Sequence, residues 1–159
     1  MAVIGTSTDY TGRKKDISIF QSPDALKLGA QDVSPKFGKT TKACAGVQKL
    51  IQRYAIMLLS SVNSQPNFKD FGTAFMPTLT AGISPTDKLA AAQIFASANY
   101  TTVLALKAYQ KKNQEIPLDE RIAKAVLDSI TLSGSYASFN IKIYTEAGDN
   151  VTFLIPIPK

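Results

Sequence analysis

Apolar residues in the first half of this chain recur every three or four positions, which is the spacing of a helix with one buried face. This pattern predicts a first helix over about residues 43–62, with Thr40 or Thr41 as its N-cap. A polar run that ends at Pro66 predicts the break after this helix. The apolar face consists of Val47, Leu50, Ile51, Tyr54, Leu58 and Val62.

Two more helices are predicted after a central loop, 66–79, which we interpret as a packed anchor. The first helix, over about 85–112, has Ser84 in the N-cap position and Pro85 at the first helical position, where these residue types are preferred. The second is predicted over about 119–130. Its apolar positions lie four residues apart and are Ile122, Val126 and Ile130.

Near the C-terminus the apolar period changes to two, which is the pattern of strands with one buried face. Residues 138–145 and 151–158 therefore predict a β-hairpin around a turn at 146–150. Because Pro156 and Pro158 have no N–H to donate, the last strand is predicted to lie at a sheet edge. The side chains predicted to share one face are Phe139, Ile141 and Ile143 in the first strand and Val151, Phe153, Ile155 and Ile157 in the second.

The first 42 residues lack such a pattern, since glycine and proline interrupt them every few positions. Only residues 16–20 alternate like a short strand. We therefore expect an irregular N-terminal arm at 1–42 and an α+β domain at 43–159. The expected fold has three packed helices and a small antiparallel C-terminal β-hairpin or sheet. A flexible arm and an arm that orders against a partner remain alternatives.

The net charge of +6 is concentrated at the start of the chain. Residues 1–60 hold nine Lys and Arg against four Asp, whereas the remainder holds nine basic against eight acidic residues. Such a surplus attracts nucleic acid or an acidic protein face. We favour the protein face, because aromatic residues do not alternate with these basic residues as a base-stacking groove requires.

The composition excludes several catalytic chemistries. Histidine is absent and Cys44 is the single cysteine, so the sequence cannot supply a Ser-His-Asp triad, a Cys-His pair or a zinc site of the usual ligands. We expect Cys44 to be a small buried apolar residue. No cofactor site and no metal site are predicted, and the longest apolar run, 54–59, is expected to be too short to cross a membrane.

Asp119, Glu120 and Arg121 are the candidates for polar chemistry. Glycosidases use two carboxylates across a cleft, but adjacent acids at a helix start point in different directions, so we expect Asp119 and Glu120 to complement the helix dipole. Asp70 in the central loop has no identifiable partner acid. Arg121 opposes the dipole, which indicates an external carboxylate or a backbone acceptor; a solvated surface arginine is the alternative.

Three features, in order, resemble the baseplate-wedge W family of contractile phage tails, the "lysozyme-like" or sheath-initiator family with a type VI secretion counterpart. The first is the helix at 47–59 with the break after it. The second is Pro66 with Asp70-Phe71-Gly72-Thr73, similar to the family's proline-to-(Phe/Tyr)-Gly-(Thr/Ser) loop. The third is Asp119-Glu120-Arg121-Ile122, placed like the family's Glu-Pro-Arg-Ile signature but without the proline. The resemblance covers about residues 43–157.

The resemblance implies a structural virion protein of the tail baseplate, made in the host cytoplasm, and not an enzyme. The implied partners are baseplate wedge and hub proteins, the tail sheath protein and the tail tube, in a symmetric assembly without membrane or nucleic acid. The C-terminal hairpin is expected to initiate the sheath by strand addition. The residues expected to bind partners are Phe71, Gly72, Glu120, Arg121, Phe139, Ile141, Ile143, Val151, Phe153 and Ile155. The alternatives are a basic nucleic-acid-binding domain, another tail connector, and a cell-wall hydrolase as the family label suggests.

Overall fold

The computed structural model describes residues 13–17, 43–66, 71–81, 87–133 and 136–158. Within them, three helices pack against one face of a three-stranded antiparallel sheet, which confirms the predicted α+β class. The helices are α1 (Val47–Leu59), α2 (Phe75–Thr80) and α3 (Lys88–Lys112), and the strands are β1 (Asp16–Ile17), β2 (Ala43–Cys44), β3 (Ile122–Leu132), β4 (Tyr136–Thr145) and β5 (Asn150–Pro158). A 3₁₀ turn at Leu118–Glu120 joins α3 to β3.

Helix α1 buries most of the predicted apolar face but is shorter than predicted. It begins after Gly46, whose φ of 63° is a conformation that glycine adopts readily. This start lies several residues after the predicted caps, Thr40 and Thr41, which are outside the described residues. Val62 lies beyond the helix and is 51% exposed, so its predicted burial is wrong. The buried members of the face are Leu50, Ile51, Tyr54 and Leu58.

The helix predicted over 119–130 is wrong, because β3 occupies this segment. A spacing of four residues approximates one helical turn, but it is also an even number, so a regular strand places such residues on one side as well. The irregularity between Ile122 and Lys124 moves Val126 to the outer face, where it is 39% exposed, so its predicted place beside Ile122 is wrong. The apolar residues here are β-branched, a type enriched in strands. Antiparallel pairing with β4 along β3, interrupted by two irregularities, selects the strand. Consequently Glu120 and Arg121 precede a strand and not a helix.

Strands β4 and β5 confirm the predicted hairpin and its turn. The odd-numbered side chains of both strands face the helices and are buried, as the alternation predicts. The third strand of this sheet, β3, was not predicted. In the described part of the chain the strand order is β3-β4-β5, so β5 is an edge strand as its two prolines indicate.

An aromatic cluster fills the core between the sheet and the helices. The rings of Phe75, Phe95 and Phe139, from α2, α3 and β4, have centroids 5.3 to 6.0 Å apart. Tyr54 of α1 meets Phe153 of β5 edge to face at 5.9 Å. Helix α2 lies within the segment interpreted as a loop, and its Phe75 makes that segment part of the core.

Helix α3 begins one turn later than predicted and is only partly buried. Its N-cap is Asp87, whose carboxylate accepts a hydrogen bond from the Leu89 N–H at 2.8 Å. The predicted cap, Ser84, lies outside the described residues. No charged residue occurs between Lys88 and Lys107. By length and composition alone, α3 could cross a membrane, so the expectation that no segment is long enough is wrong. Core helices of soluble proteins meet the same criterion.

Residues 13–17 of the predicted arm belong to the folded domain. Asp16 and Ile17 form β1 and pair antiparallel with Cys44 and Ala43 of β2. Of the strand predicted at 16–20, residues 18–20 lie outside the described residues, as does the rest of the arm. The domain therefore includes at least one segment from the N-terminal side of the expected boundary.

Candidate functional site

The carboxylate of Glu120 lies at the N-terminal end of α1, where the 3₁₀ turn places it. One oxygen, Oε1, accepts a hydrogen bond from the Gly46 N–H at 3.1 Å, and the other, Oε2, lies 3.0 Å from Lys49 Nζ. Glu120 is 3% exposed and Lys49 is 5% exposed. A negative charge at this position complements the helix dipole. Glu120 was expected to complement a helix dipole, and it does so at the start of α1 and not in a helix that begins at residue 119.

Asp119 ties the N-terminal segment to the same turn. Both of its carboxylate oxygens accept hydrogen bonds from Arg13 Nη1, at 2.9 and 2.7 Å. Lys49 Nζ also donates to the carbonyl of Lys14 at 2.7 Å, and Gln52 Nε2 donates to the carbonyl of Ile17 at 2.8 Å. Distant parts of the sequence are therefore held together by charged and polar groups. We call this cluster the polar joint, and it consists of Arg13, Lys49, Gln52, Gln110, Asp119 and Glu120.

Gln110 closes the polar joint from the last turns of α3. Its side-chain amide donates to the Glu120 carbonyl and accepts from the Ile122 N–H, both at 3.0 Å. This pair of bonds mimics a strand ladder and positions the start of β3. Among the described residues, every buried side-chain nitrogen or oxygen has a hydrogen-bond partner. The polar joint is therefore fully satisfied internally, which is the condition under which buried polar networks stabilise a unique structure.

Arg121 binds acceptors of its own chain. Its Nε donates to the Ile116 carbonyl at 2.8 Å and its Nη2 donates to the Gln114 carbonyl at 2.7 Å. Its Nη1 lies 3.8 Å from a carboxylate oxygen of Glu146 in the β4–β5 turn. The backbone acceptor predicted for Arg121 therefore exists inside the domain, and the predicted dipole conflict is absent because no helix starts here. A partner is not needed to satisfy this arginine.

Phe71 and Gly72 belong to an anchor that fixes the chain after α1. Gly72 has a φ of +100°, and a Cβ there would lie 2.4 Å from the Ser61 carbonyl oxygen. Thr73 follows and its hydroxyl donates to the Leu58 carbonyl at 2.6 Å, while its N–H donates to the Ser60 carbonyl at 2.8 Å. Phe71 is half-buried against the core. The interpretation of this loop as a packed anchor is consistent with these contacts, and Gly72 is buried.

The hairpin residues expected to bind partners have their side chains in the core. All six are at most 6% exposed, because the odd-numbered face of the sheet is the one that the helices cover. Their side chains therefore do not form a docking surface, and the expected strand addition through the main chain stays a prediction. The six are Phe139, Ile141, Ile143, Val151, Phe153 and Ile155. Any partner of the hairpin has to use its main chain or its opposite face.

The hydrogen-bond pattern of the hairpin shows which main-chain groups of β5 point outward. The Thr145 N–H donates to the Asp149 carbonyl at 2.9 Å, so this pair is of the closely hydrogen-bonded type. Such pairs alternate along an antiparallel ladder, so the odd-numbered residues of β5 bond to β4 and the even-numbered ones face away. No other described strand pairs with this outward row. We call it the free edge of β5, and it consists of the main chains of Asn150, Thr152, Leu154, Pro156 and Pro158.

The opposite edge of the sheet is protected in ways that the free edge of β5 is not. Strand β3 contains two register irregularities, and its Ala125 carbonyl accepts a hydrogen bond from Asn99 of α3 at 2.9 Å. Irregularities, covering helices, charged residues and proline are the usual means of blocking an edge, and β5 has proline only at its last two outward positions. Strand β5 contains no charged residue. Among the described strands, the free edge of β5 is thus the better template for another chain.

The buried acids and the buried cysteine of the described residues have partners within the fold. Asp119 and Glu120 are each engaged by a cation, and no group of three or more metal-ligating side chains occurs among the described residues. Cys44 is buried, as predicted, and its Sγ donates to Gln52 Oε1 at 3.6 Å. Burial, followed by the charge of Asp16, raises the pKa of the Cys44 thiol. A thiol in this state is a weak nucleophile.

Sequence reasoning did not identify Lys49, Gln110 or Arg13 as site residues, because each acts on a turn far away in the sequence. A signal for the free edge was present, since both prolines of the last strand occupy even-numbered positions and so face the same edge.

Comparisons with protein-family models, curated proteins and solved structures found no match to this chain.

Proposed function

We propose that this chain is a non-enzymatic structural component of a contractile-tail baseplate that joins a neighbouring chain through the free edge of β5. The neighbour is a sheath-type protein whose strand extends the sheet beyond β5. The resemblance to the wedge W family supports the assembly, and the exposed ladder supports the mode of joining. Main-chain hydrogen bonds supply affinity in strand addition, and no side-chain chemistry is needed.

The observation that carries this proposal is the outward row of main-chain groups on an uncharged strand. Asn150, Thr152 and Leu154 each present an N–H and a carbonyl there. A soluble protein that needs no partner normally blocks such a row with charge, proline or cover, and the positions 150, 152 and 154 carry neither charge nor proline. An assembly component uses it, because each added bond replaces a bond to water with one to a partner.

The polar joint and the anchor make the sheet a rigid platform for this contact. The joint fixes the start of β3 through Gln110, and Arg121 connects the turn before β3 to the β4–β5 turn. The edge of β5 is anchored to the rest of the domain, because β5 pairs with β4 and its Phe153 contacts Tyr54 in the core. A preorganised edge loses little entropy when a partner strand binds.

A single proline tests the proposal without removing core side chains. Leu154→Pro deletes one outward N–H and leaves the bonds to β4 intact, whereas Leu154→Ala keeps the N–H and is the matched control. The variants are co-expressed with the wedge and sheath proteins of the same tail, and sheathed particles are counted by electron microscopy. We expect Leu154→Pro to lower the sheathed fraction by up to about tenfold, the effect of one lost bond, and Leu154→Ala to resemble the wild type. Normal sheath assembly on baseplates that contain Leu154→Pro would refute the proposal.

A second candidate, binding of nucleic acid, is favoured by one observation on the outer face of the sheet. Lys124 Nζ lies 4.4 Å and Lys142 Nζ lies 5.4 Å from the ring centroid of Tyr144. Tyr144 is half-buried, and basic residues around an accessible aromatic ring are the elements of a single-strand binding groove. In contrast, Arg13, Lys49 and Arg53 of the basic N-terminal third are engaged in ion pairs. This candidate predicts salt-dependent binding of single-stranded DNA that Tyr144→Ala weakens, and a gel-shift titration measures it.

A further inference from the structure

The two prolines of β5 divide its free edge into two parts with different hydrogen-bonding capacity. Asn150, Thr152 and Leu154 present both a donor and an acceptor. Pro156 and Pro158 present a carbonyl acceptor and no donor. Proline is thus absent from the first part and occupies every outward position of the second. If proline served only to block the edge, it would also be needed at position 152 or 154, where a strand can still pair.

We infer that this division makes the free edge of β5 select a strand from a different chain over a second copy of itself; the inference rests on the proposed function, which uses the same edge. When two β5 edges pair antiparallel about Leu154, Thr152 of each copy faces Pro156 of the other. The Thr152 carbonyl then has no donor opposite it. Pairing about Thr152 avoids the prolines but shortens the overlap to three outward residues on each strand. Each of these antiparallel self-pairings therefore forms fewer bonds than five fully paired outward positions would.

A foreign strand without proline loses fewer bonds than a second copy does, because only its own carbonyls opposite Pro156 and Pro158 lack a donor. It donates to the carbonyls of Pro156 and Pro158 and exchanges bonds in both directions with Thr152 and Leu154. The partner that fits is therefore an extended segment of about five residues with free N–H groups along its whole length. Specificity arises here as a penalty on the wrong partner, which is the same chain, and not as a stronger contact with the right one.

The self-association of the full chain tests this inference separately from sheath assembly. Pro156→Val restores one outward donor in each copy, hence two bonds across a symmetric pair. We expect it to tighten dimerisation by about one to two orders of magnitude in sedimentation equilibrium. The double variant Pro156→Val with Leu154→Pro removes a donor from the same edge and is expected to return to the wild-type association.

The outcomes are distinguishable from failure of the proposed function. If Pro156→Val dimerises no more tightly than the wild type, or if adding Leu154→Pro does not reverse its dimerisation, the selectivity inference is overturned while strand addition to a sheath protein stands. If Leu154→Pro leaves sheath assembly intact, the proposed function fails whatever the dimerisation shows. Slower amide exchange at Thr152 and Leu154 in the Pro156→Val dimer is the expected signature that the β5 edges themselves have paired.

Discussion

Glu120 and Lys49 form an ion pair with an Oε2–Nζ distance of 3.0 Å, and both side chains are almost completely buried. The pair lies where the 3₁₀ turn before β3 meets the start of α1. Two charges removed from water are tolerated only because each also hydrogen-bonds to backbone, Glu120 to the Gly46 N–H and Lys49 to the Lys14 carbonyl. This arrangement makes the pair more sensitive to loss of one partner than to loss of both.

Glu120→Gln is therefore expected to lower the free energy of unfolding by about 3–5 kcal/mol, because it leaves Lys49 charged and buried without its counter-ion. The amide still accepts from Gly46, so the change isolates the charge. The double variant Lys49→Met with Glu120→Gln is expected to recover most of this loss. Urea unfolding measures all three proteins. A Glu120→Gln protein that is as stable as the wild type would show that the pair contributes nothing.

Gly72→Ala is expected to destabilise the fold more than Gly148→Ala. Both glycines have positive φ, +100° and +92°, so both substitutions introduce similar backbone strain. An added Cβ at Gly72 would meet the carbonyl oxygens of Ser61 and Ser60 at 2.4 and 2.8 Å, whereas the one at Gly148 meets nothing within 4 Å. The difference between the two free energies of unfolding is expected to be about 1–3 kcal/mol. Equal losses would mean that the contact with Ser61 is relieved without cost.

The stability of the domain is expected to fall as the pH rises above about 9–10. Burial raises the pKa of Tyr54, whose hydroxyl donates to Asn99 Oδ1 at 2.6 Å. The unfolded chain loses this proton near its ordinary pKa of about 10, while the folded chain keeps it. The unfolded state then binds fewer protons than the folded state, so the free energy of unfolding decreases with pH. Below that pH the contribution of Tyr54 is complete.

Tyr54→Phe provides the control for this pH dependence. The substitution removes the titrating hydroxyl, so the free energy of unfolding is expected to decline less between about pH 9 and 10.5. At pH 7 the variant is expected to be less stable than the wild type, because Asn99 loses a hydrogen bond. Cys44→Ala separates the smaller effect of the buried thiol, whose pKa is also raised. An unchanged slope in Tyr54→Phe would assign the alkaline loss to other groups.

Helix α3 is expected to remain with the domain in the presence of lipid vesicles. Asn99 links α3 to β3 through the Ala125 carbonyl and to α1 through Tyr54, and Phe95 lies in the aromatic cluster. Insertion would break these contacts. Flotation with neutral phosphatidylcholine vesicles measures the association, and we expect the protein to stay in the dense fraction. Flotation that is abolished by Leu104→Glu, a change on the exposed side of α3, would show instead that this helix enters the bilayer.

The sequence alone correctly predicts the elements whose apolar period has one interpretation. In β4 and β5 the alternation extends over eight or more residues and leaves no helical alternative, so the strands, the turn and the buried face all follow. The prolines at 156 and 158 also identify the edge strand, since a central strand cannot lack those donors. The face of α1 follows for the same reason from its spacing of three and four.

The sequence is ambiguous where one spacing satisfies two periods. The residues at 122, 126 and 130 fit a helix and a strand, and only the pairing of β3 with β4 selects between them. The short helix α2 is missed because six residues contain too few turns to show a period. Asp119 and Glu120 are recognised as important, but Arg13 and Lys49, which neutralise them, come from distant segments that no local pattern connects to residue 120.

The sequence by itself determined the α+β class, the apolar face of α1, the C-terminal hairpin with its edge strand and the exclusion of histidine-dependent chemistry. Only the tertiary structure decided that residues 122–132 form a strand, that the acids before it are buried ion-pair partners, and which main-chain groups of β5 face outward. The physical reason is that periodicity reports which side of an element is buried, whereas ion pairs, sheet order and ladder direction depend on contacts between segments far apart in the chain.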